Sequence, residues 1–210
     1  DSLDGQAGND TLIGGDGNDV FYVLDAGDVV IEAAGAAAGN DTAVFVGNGL
    51  TYTLAANVET GEVDAANVTL NGNALDNLLV SYSAAVLNGG AGNDIIVGSS
   101  GADTLAGGTG NDSLEGSWFT NDGAIDILSG GAGDDRYLLW SSNDSVNELA
   151  GEGRDTVFLQ PGYVDFSYTL TANVEELDAS ATSAGLGLYG NTLDNVIRGG
   201  TGADYIVGGA

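Results

Sequence analysis

The chain has 210 residues, 31 of them acidic and three basic (Arg136, Arg154 and Arg198), and carries a formal charge of −28. That charge excludes nucleic acid and anionic membrane surfaces as partners, since both need a basic face. The absence of Cys and His excludes disulfides, thiolate metal sites, the usual zinc ligand and the usual general base.

Hydrophobic residues make up 43% of the chain, too many for an acidic disordered tail. Self-repulsion opposes a compact fold unless cations neutralise it. No apolar run is long enough to span a bilayer. The chain opens inside a repeat and stops as another begins, which reads as a piece of a longer protein whose export signals lie out of view.

Taken in order, residues 1–31 form a first block. Asp1, Asp10, Asp19 and Asp28 recur every nine residues, with apolar Leu3, Leu12, Phe21 and Val30 two positions later. Val29 to Ala38 tempts a helix through its alanines, but Gly35 and the short length favour a loop or one loose turn. Residues 32–70 are a spacer in which Tyr52, Leu54, Val63, Val68 and Leu70 are separated by small or polar residues, a strand pattern.

A second block, 71–147, runs through Asp76, Asp94, Asp103 and Asp112, with Ala85 where one Asp is expected. Five extra residues, 116–120, break the phase, which resumes at Asp126, Asp135 and Asp144. The spacer 148–189 repeats the first: Tyr52 to Glu59 matches Tyr168 to Glu175. Pro161 sits in a turn. A third block, 190–210, carries Asp194 and Asp204, one residue out of step. The spacers either continue the repeat as longer coils or pack as separate strands.

The unit is G-G-x-G-x-D-x-U-x, with U apolar. It reads Gly14-Gly15-Asp16-Gly17-Asn18-Asp19, then starts again at Gly89, Gly107, Gly130 and Gly199. Its glycines, among them Gly15, Gly17, Gly90, Gly92, Gly108, Gly110, Gly131 and Gly133, suit a tight turn that brings backbone close to an ion. The Asp offers a carboxylate oxygen, and calcium takes six to eight oxygens from carboxylates and carbonyls. One turn supplies about half of such a shell, so a second must complete it.

This pattern resembles the RTX (repeats-in-toxin) calcium-binding nonapeptide family. The resemblance implies an all-β fold: a right-handed parallel β-roll or β-helix solenoid with calcium between stacked turns, interrupted by the longer β-strand spacers. Turns of units n and n+2 stack, pairing Asp1 with Asp19, Asp10 with Asp28, Asp76 with Asp94, Asp94 with Asp112, Asp103 with Asp126, Asp112 with Asp135, and Asp126 with Asp144, for about seven ions. Asp204 is the ligand candidate of the third block, and the Ala85 turn should be weakened or empty. Asp16, Asp134, Asn9 and Asn18 read as turn residues that hydrogen-bond locally.

One buried apolar residue per short strand is a thin core, so folding should require the metal. The expected function is a calcium-binding structural module of a secreted or cell-surface bacterial protein. As the resemblance implies, it would leave by type I secretion and fold outside on meeting calcium. Alternatives are a calcium-dependent adhesin or carbohydrate-binding domain, and a non-catalytic module of a larger secreted protease, lipase or epimerase-type enzyme. No catalytic motif is present, so the chain itself reads as no enzyme.

Trp118 and Phe119, in the insertion, are candidates for a protein or glycan contact or for a cap on the roll. Trp140 reads as packed inside, and the three arginines as surface ion-pair partners.

Overall fold

The computed structural model describes residues 1–35, 39–118, 122–163 and 165–209. These residues form a parallel β-solenoid of eleven coils, with no helix among them. Each coil holds two short strands joined by turns.

β1 (Ser2–Asp4) and β2 (Thr11–Ile13) make the first coil, β3 (Val20–Val23) and β4 (Val29–Ile31) the second, β5 (Thr42–Phe45) and β6 (Thr51–Thr53) the third. Next come β7 (Thr60–Val63) with β8 (Val68–Asn71), β9 (Leu78–Ser81) with β10 (Ala85–Ala91), and β11 (Ile95–Val97) with β12 (Thr104–Thr109). β13 (Ser113–Glu115) pairs in its coil with β14 (Ile127–Ala132), β15 (Arg136–Leu139) with β16 (Ser145–Val146), and β17 (Thr156–Leu159) with β18 (Ser167–Thr169). β19 (Glu176–Asp178) with β20 (Gly187–Tyr189), and β21 (Val196–Arg198) with β22 (Tyr205–Val207), complete the stack.

The odd strands form one continuous eleven-stranded sheet. The even strands form three shorter sheets: β2 with β4, β6 through β16, and β18 through β22. Strands of both spacers belong to these sheets, so 32–70 and 148–189 continue the solenoid instead of packing apart from it.

The central apolar residue of each strand points inward, as a period of two requires. Phe21 stacks on Leu3 and Ala43, and further along Leu79, Ile96, Leu114, Tyr137, Val157 and Leu177 follow in register. Opposite them Tyr52, Leu70, Leu87, Leu105, Leu128 and Val146 form the second column. Almost all are fully buried, while Ile206 in the last strand is half exposed.

Strict periodicity gives way where it must. Leu114 stacks on Tyr137, five residues beyond the usual eighteen, so the extra residues are taken up between β13 and β14 and the strands recover their register. Val29 to Ile31 is strand and 32–35 a loop; Ala36 to Ala38, the rest of the helix-tempting stretch, lie outside the described residues.

Candidate metal centres

The turns divide into two edges, one leading from even to odd strands and one from odd to even. On the first edge the backbone N–H of each sixth-position residue donates to the carboxylate one coil later. Asp19 N reaches Asp41 Oδ1 at 2.8 Å and Asp41 N reaches Glu59 Oε2 at 2.9 Å, while at the start of the series the N-terminal ammonium of Asp1 pairs with Asp19 Oδ1 at 2.5 Å. The series continues from Asn77 N to Asp94, Asp94 N to Asp112 and Asp112 N to Asp135, each at 2.7 Å, then Asp135 N to Asp155 and Asp155 N to Glu175 at 2.9 Å.

The second edge repeats the device. Asp10 N donates to Asp28 at 3.0 Å, Ala85 N to Asp103 at 2.6 Å, Asp103 N to Asp126 at 2.8 Å, Asp126 N to Asp144 at 3.2 Å and Leu186 N to Asp204 at 2.9 Å.

Each carboxylate is thus held by one oxygen. Asp28 and Asp103 use their second oxygen as well, accepting from Leu24 and Asp25 N–H and from Ser99; for others the second oxygen is left to be accounted for. The Oδ2 atoms of Asp10, Asp19, Asp41, Asp94, Asp112, Asp135 and Asp155 are buried without a hydrogen-bond partner. Those of Asp10, Asp19, Asp94, Asp112 and Asp135 face the first glycine of their own turn. The position a Cβ would take on Gly89 lies beside Asp94 Oδ2 and 2.6 Å from Gly107 O, and the same place on Gly107 lies beside Asp112 Oδ2 and 2.6 Å from Gly130 O.

Only glycine leaves this space open, and oxygens line it. Buried anions with bare oxygens are costly unless something compensates them. A hard cation that takes many oxygens at flexible geometry fits this donor set. All eight glycines singled out above have φ between 96° and 140°. At Gly110 a Cβ would also collide with the Gly92 carbonyl, so the stack itself demands glycine.

The electrostatics agree. Burial, reinforced by neighbouring carboxylates and opposed by the amide each group accepts, pushes Asp94, Asp112, Asp135 and Asp155 up to about 6 and Asp126 to about 7. Burial, then the charge of Asp155, pushes Glu148 to about 8. Without a cation these groups resist ionisation.

The expected stacking forms for Asp1–Asp19, Asp10–Asp28, Asp94–Asp112, Asp103–Asp126, Asp112–Asp135 and Asp126–Asp144. The pair Asp76–Asp94 does not form: Asn77 holds that level, and Asp76 sits one residue earlier, accepting from Asn93 N at 2.6 Å. Register explains this, since Leu78 pairs with Ile95, seventeen residues on. Asn195 likewise takes the buried level beside Asp194.

Fifth-position side chains do not bond locally but build an outer ladder running the other way. Asn111 N donates to Asn93 Oδ1 at 2.8 Å, Asp134 N to Asn111 Oδ1 at 2.9 Å, and Arg154 N to Asp134 Oδ1 at 2.9 Å.

Trp140 is half-buried and donates its indole N–H to Glu115 Oε1 at 2.9 Å, because a buried indole needs an acceptor. Arg154 and Arg198 pair with Glu176, but Arg136 lies 4.4 Å over the Phe158 ring. Trp118 is 43% exposed, and Phe119 lies outside the described residues.

Sequence spacing missed Asp41, Glu59, Asp155 and Glu175, which extend the first-edge ladder through both spacers. Their signals were the Asp41-Thr42 and Asp155-Thr156 steps and the matching Glu59 and Glu175.

Comparison with known proteins meets this geometry. The model of the RTX calcium-binding nonapeptide repeat matches in four copies, over residues 1–30, 84–118, 122–146 and 189–210, more than half of the chain. The chain belongs to the RTX calcium-binding nonapeptide repeat family. RTX repeats bind calcium. The chain is also similar to endo-1,3-1,4-beta-glycanase ExsH of Rhizobium meliloti (strain 1021), 42% identical over 86 residues. That stretch is 40% of this RTX chain and 17% of the enzyme's length. No solved structure matches it.

Proposed function

We propose that this RTX chain is a structural module of a secreted or cell-surface bacterial protein, compacted by calcium after export. The bare Oδ2 atoms of Asp94, Asp112 and Asp135, buried among turn carbonyls, carry this reading. In it the sixth-position carboxylates, with carbonyls of the turn glycines, hold one ion per pair of stacked turns. Asp10, Asp28, Asp103, Asp126, Asp144 and Asp204 serve the second edge. Asp76 keeps an outer position.

Family membership supports the bacterial and extracellular setting, because RTX proteins are typically secreted by bacteria. The likeness to a glycanase favours a second reading: a module of a larger secreted enzyme, without chemistry of its own.

Equilibrium calcium titration tests the proposal. Several ions should bind at about 10⁻⁴–10⁻³ M, the range of extracellular calcium modules, with strand circular dichroism rising in step. A chain that takes up no calcium would defeat it.

A further inference from the structure

At two places a third buried carboxylate, from outside the nonapeptide turns, joins a stacked pair of the ladder. Asp19, Glu32 and Asp41 form one trio, and Asp135, Glu148 and Asp155 the other; in each, one oxygen from every residue lies within 4.8 Å of the others. Glu32 stacks on Gly14, since Ile13 pairs with Ile31 just before. Glu148 stacks on Gly130 in the same way.

Each glutamate therefore occupies the level of a first glycine, the residue that elsewhere only offers a carbonyl. Its side chain folds back into the cradle: the Cβ position of Gly14 lies beside Glu32 Oε2, and 2.7 Å from Asp19 Oδ2. Neither glutamate belongs to a nonapeptide turn, so sixth-position spacing could not reveal them.

The anchoring repeats what the ladder does. Glu32 Oε1 accepts from Gly15 N at 3.2 Å, and Glu148 Oε1 from Gly130 N at 3.1 Å. The second oxygens of all six residues are buried with no hydrogen-bond partner. The four aspartates are at least 99% buried and both glutamates 92%. Among the described residues no basic side chain is bonded to either trio; the one cation at hand is the N-terminal ammonium of Asp1, on Asp19 Oδ1 of the first trio, and the second trio has no such partner. Three such charges at this separation cannot be buried together without a counter-ion.

Two oxygens bound to one calcium at about 2.4 Å each lie no more than about 4.8 Å apart. The spacing fits that limit, and the all-oxygen set suits calcium or a lanthanide.

We propose that each trio is a dedicated calcium site closing a nonapeptide block, tighter than the ladder sites because it adds a third carboxylate. The tandem repeat supports this independently: Asp19, Glu32 and Asp135, Glu148 recur with the same spacing, and Asn57 and Asn173 each donate their side-chain amide to the backbone carbonyl of the trio glutamate, at 3.3 Å and 2.8 Å.

The copies differ in one useful way. Tyr137 donates its hydroxyl to Glu148 Oε1, where the first copy has Phe21. Terbium bound at the second site should therefore glow when tyrosine is excited, and Tyr137→Phe should dim that glow without lowering the ion count.

The test is competitive chelation of the full chain, counting bound ions, for wild type, Glu32→Gln, Glu148→Gln and the double variant. Wild type should keep two ions after the ladder has emptied, each single variant one, and the double variant none. Loss of a ligand should cost at least the roughly 10–100-fold that loss of an outer-shell partner costs. Ladder ions retained without a tighter pair, or counts unchanged by the variants, would overturn the proposal while leaving the calcium ladder intact. Should a variant not fold, anomalous scattering from a calcium-grown wild-type crystal decides: density among Asp135, Glu148 and Asp155 supports the site, and its absence refutes it.

Discussion

At the scale of single residues, ladder aspartates give their two oxygens different roles. At Asp19, Asp41, Asp94, Asp112, Asp135 and Asp155, Oδ1 accepts a neighbouring N–H and Oδ2 is buried with no hydrogen-bond partner. Substitutions at Asp112 separate them. Asp112→Asn keeps an acceptor for Asp94 N but removes a charge, so it should leave the metal-free chain no less stable and weaken the response to calcium. Asp112→Ala also orphans the buried Asp94 N–H, at a cost of about 1–3 kcal/mol. Urea unfolding of both variants, with calcium and with chelator, reads the difference. Sequence spacing revealed this level at Asp19, Asp94 and Asp112 because glycine and aspartate recur together there. It failed at Asp76, because a seventeen-residue coil moves the buried level to Asn77 and nothing local records that slip. Glu32 and Glu148 were illegible for another reason: their role appears only when a side chain replaces a glycine and folds across the next coil.

At the scale of elements, two kinds of junction hold neighbouring coils. Where carboxylates stack, bare oxygens face carbonyls, and these are the junctions the proposed cations would bridge. At Asn73 and Asn77 amides do that work: Asn73 Nδ2 donates to Val58 O at 2.7 Å, and Asn77 Nδ2 to Val58 O and Glu59 O at 3.2 Å. Asn191 and Asn195 repeat it on Val174 and Glu175. These junctions need no ion. Replacing Asn77 by Asp should turn two donors into repulsion against those carbonyls. Amide exchange across β7 and β9 in chelator should then speed up well beyond wild type. Equal rates would show that the amides contribute little. The strands of the spacers were readable from alternation at Tyr52, Leu54, Val68 and Leu70. Their place in the common sheets was not, because alternation sets which face is buried but not which strand lies alongside.

At the scale of the whole molecule, the account concerns charge. A stack of eleven coils at strand spacing is about 50 Å long, and it carries a net −28 with carboxylates lined up along both edges. Its fold class was legible because a nine-residue period leaves few alternatives to a solenoid. The pH dependence of the metal-free chain follows from the raised carboxylates. Asp94, Asp112, Asp126, Asp135, Asp155 and Glu148 hold protons in the fold up to about 6 to 8. An unfolded chain loses its carboxylate protons near about 4. Stability from these groups is therefore complete below that value and lost as pH rises through the folded range. In chelator the chain should be more ordered at about pH 5 than at about pH 8. Calcium should reverse that order, since binding needs ionised ligands.

Small-angle scattering at neutral pH, with calcium and then after exhaustive chelation, addresses the dependence of compactness on the ion most directly. With calcium the radius of gyration should be near 20 Å or less, and in chelator it should climb toward the ~50 Å of an unfolded chain this long. An equally compact particle in both conditions would contradict the account.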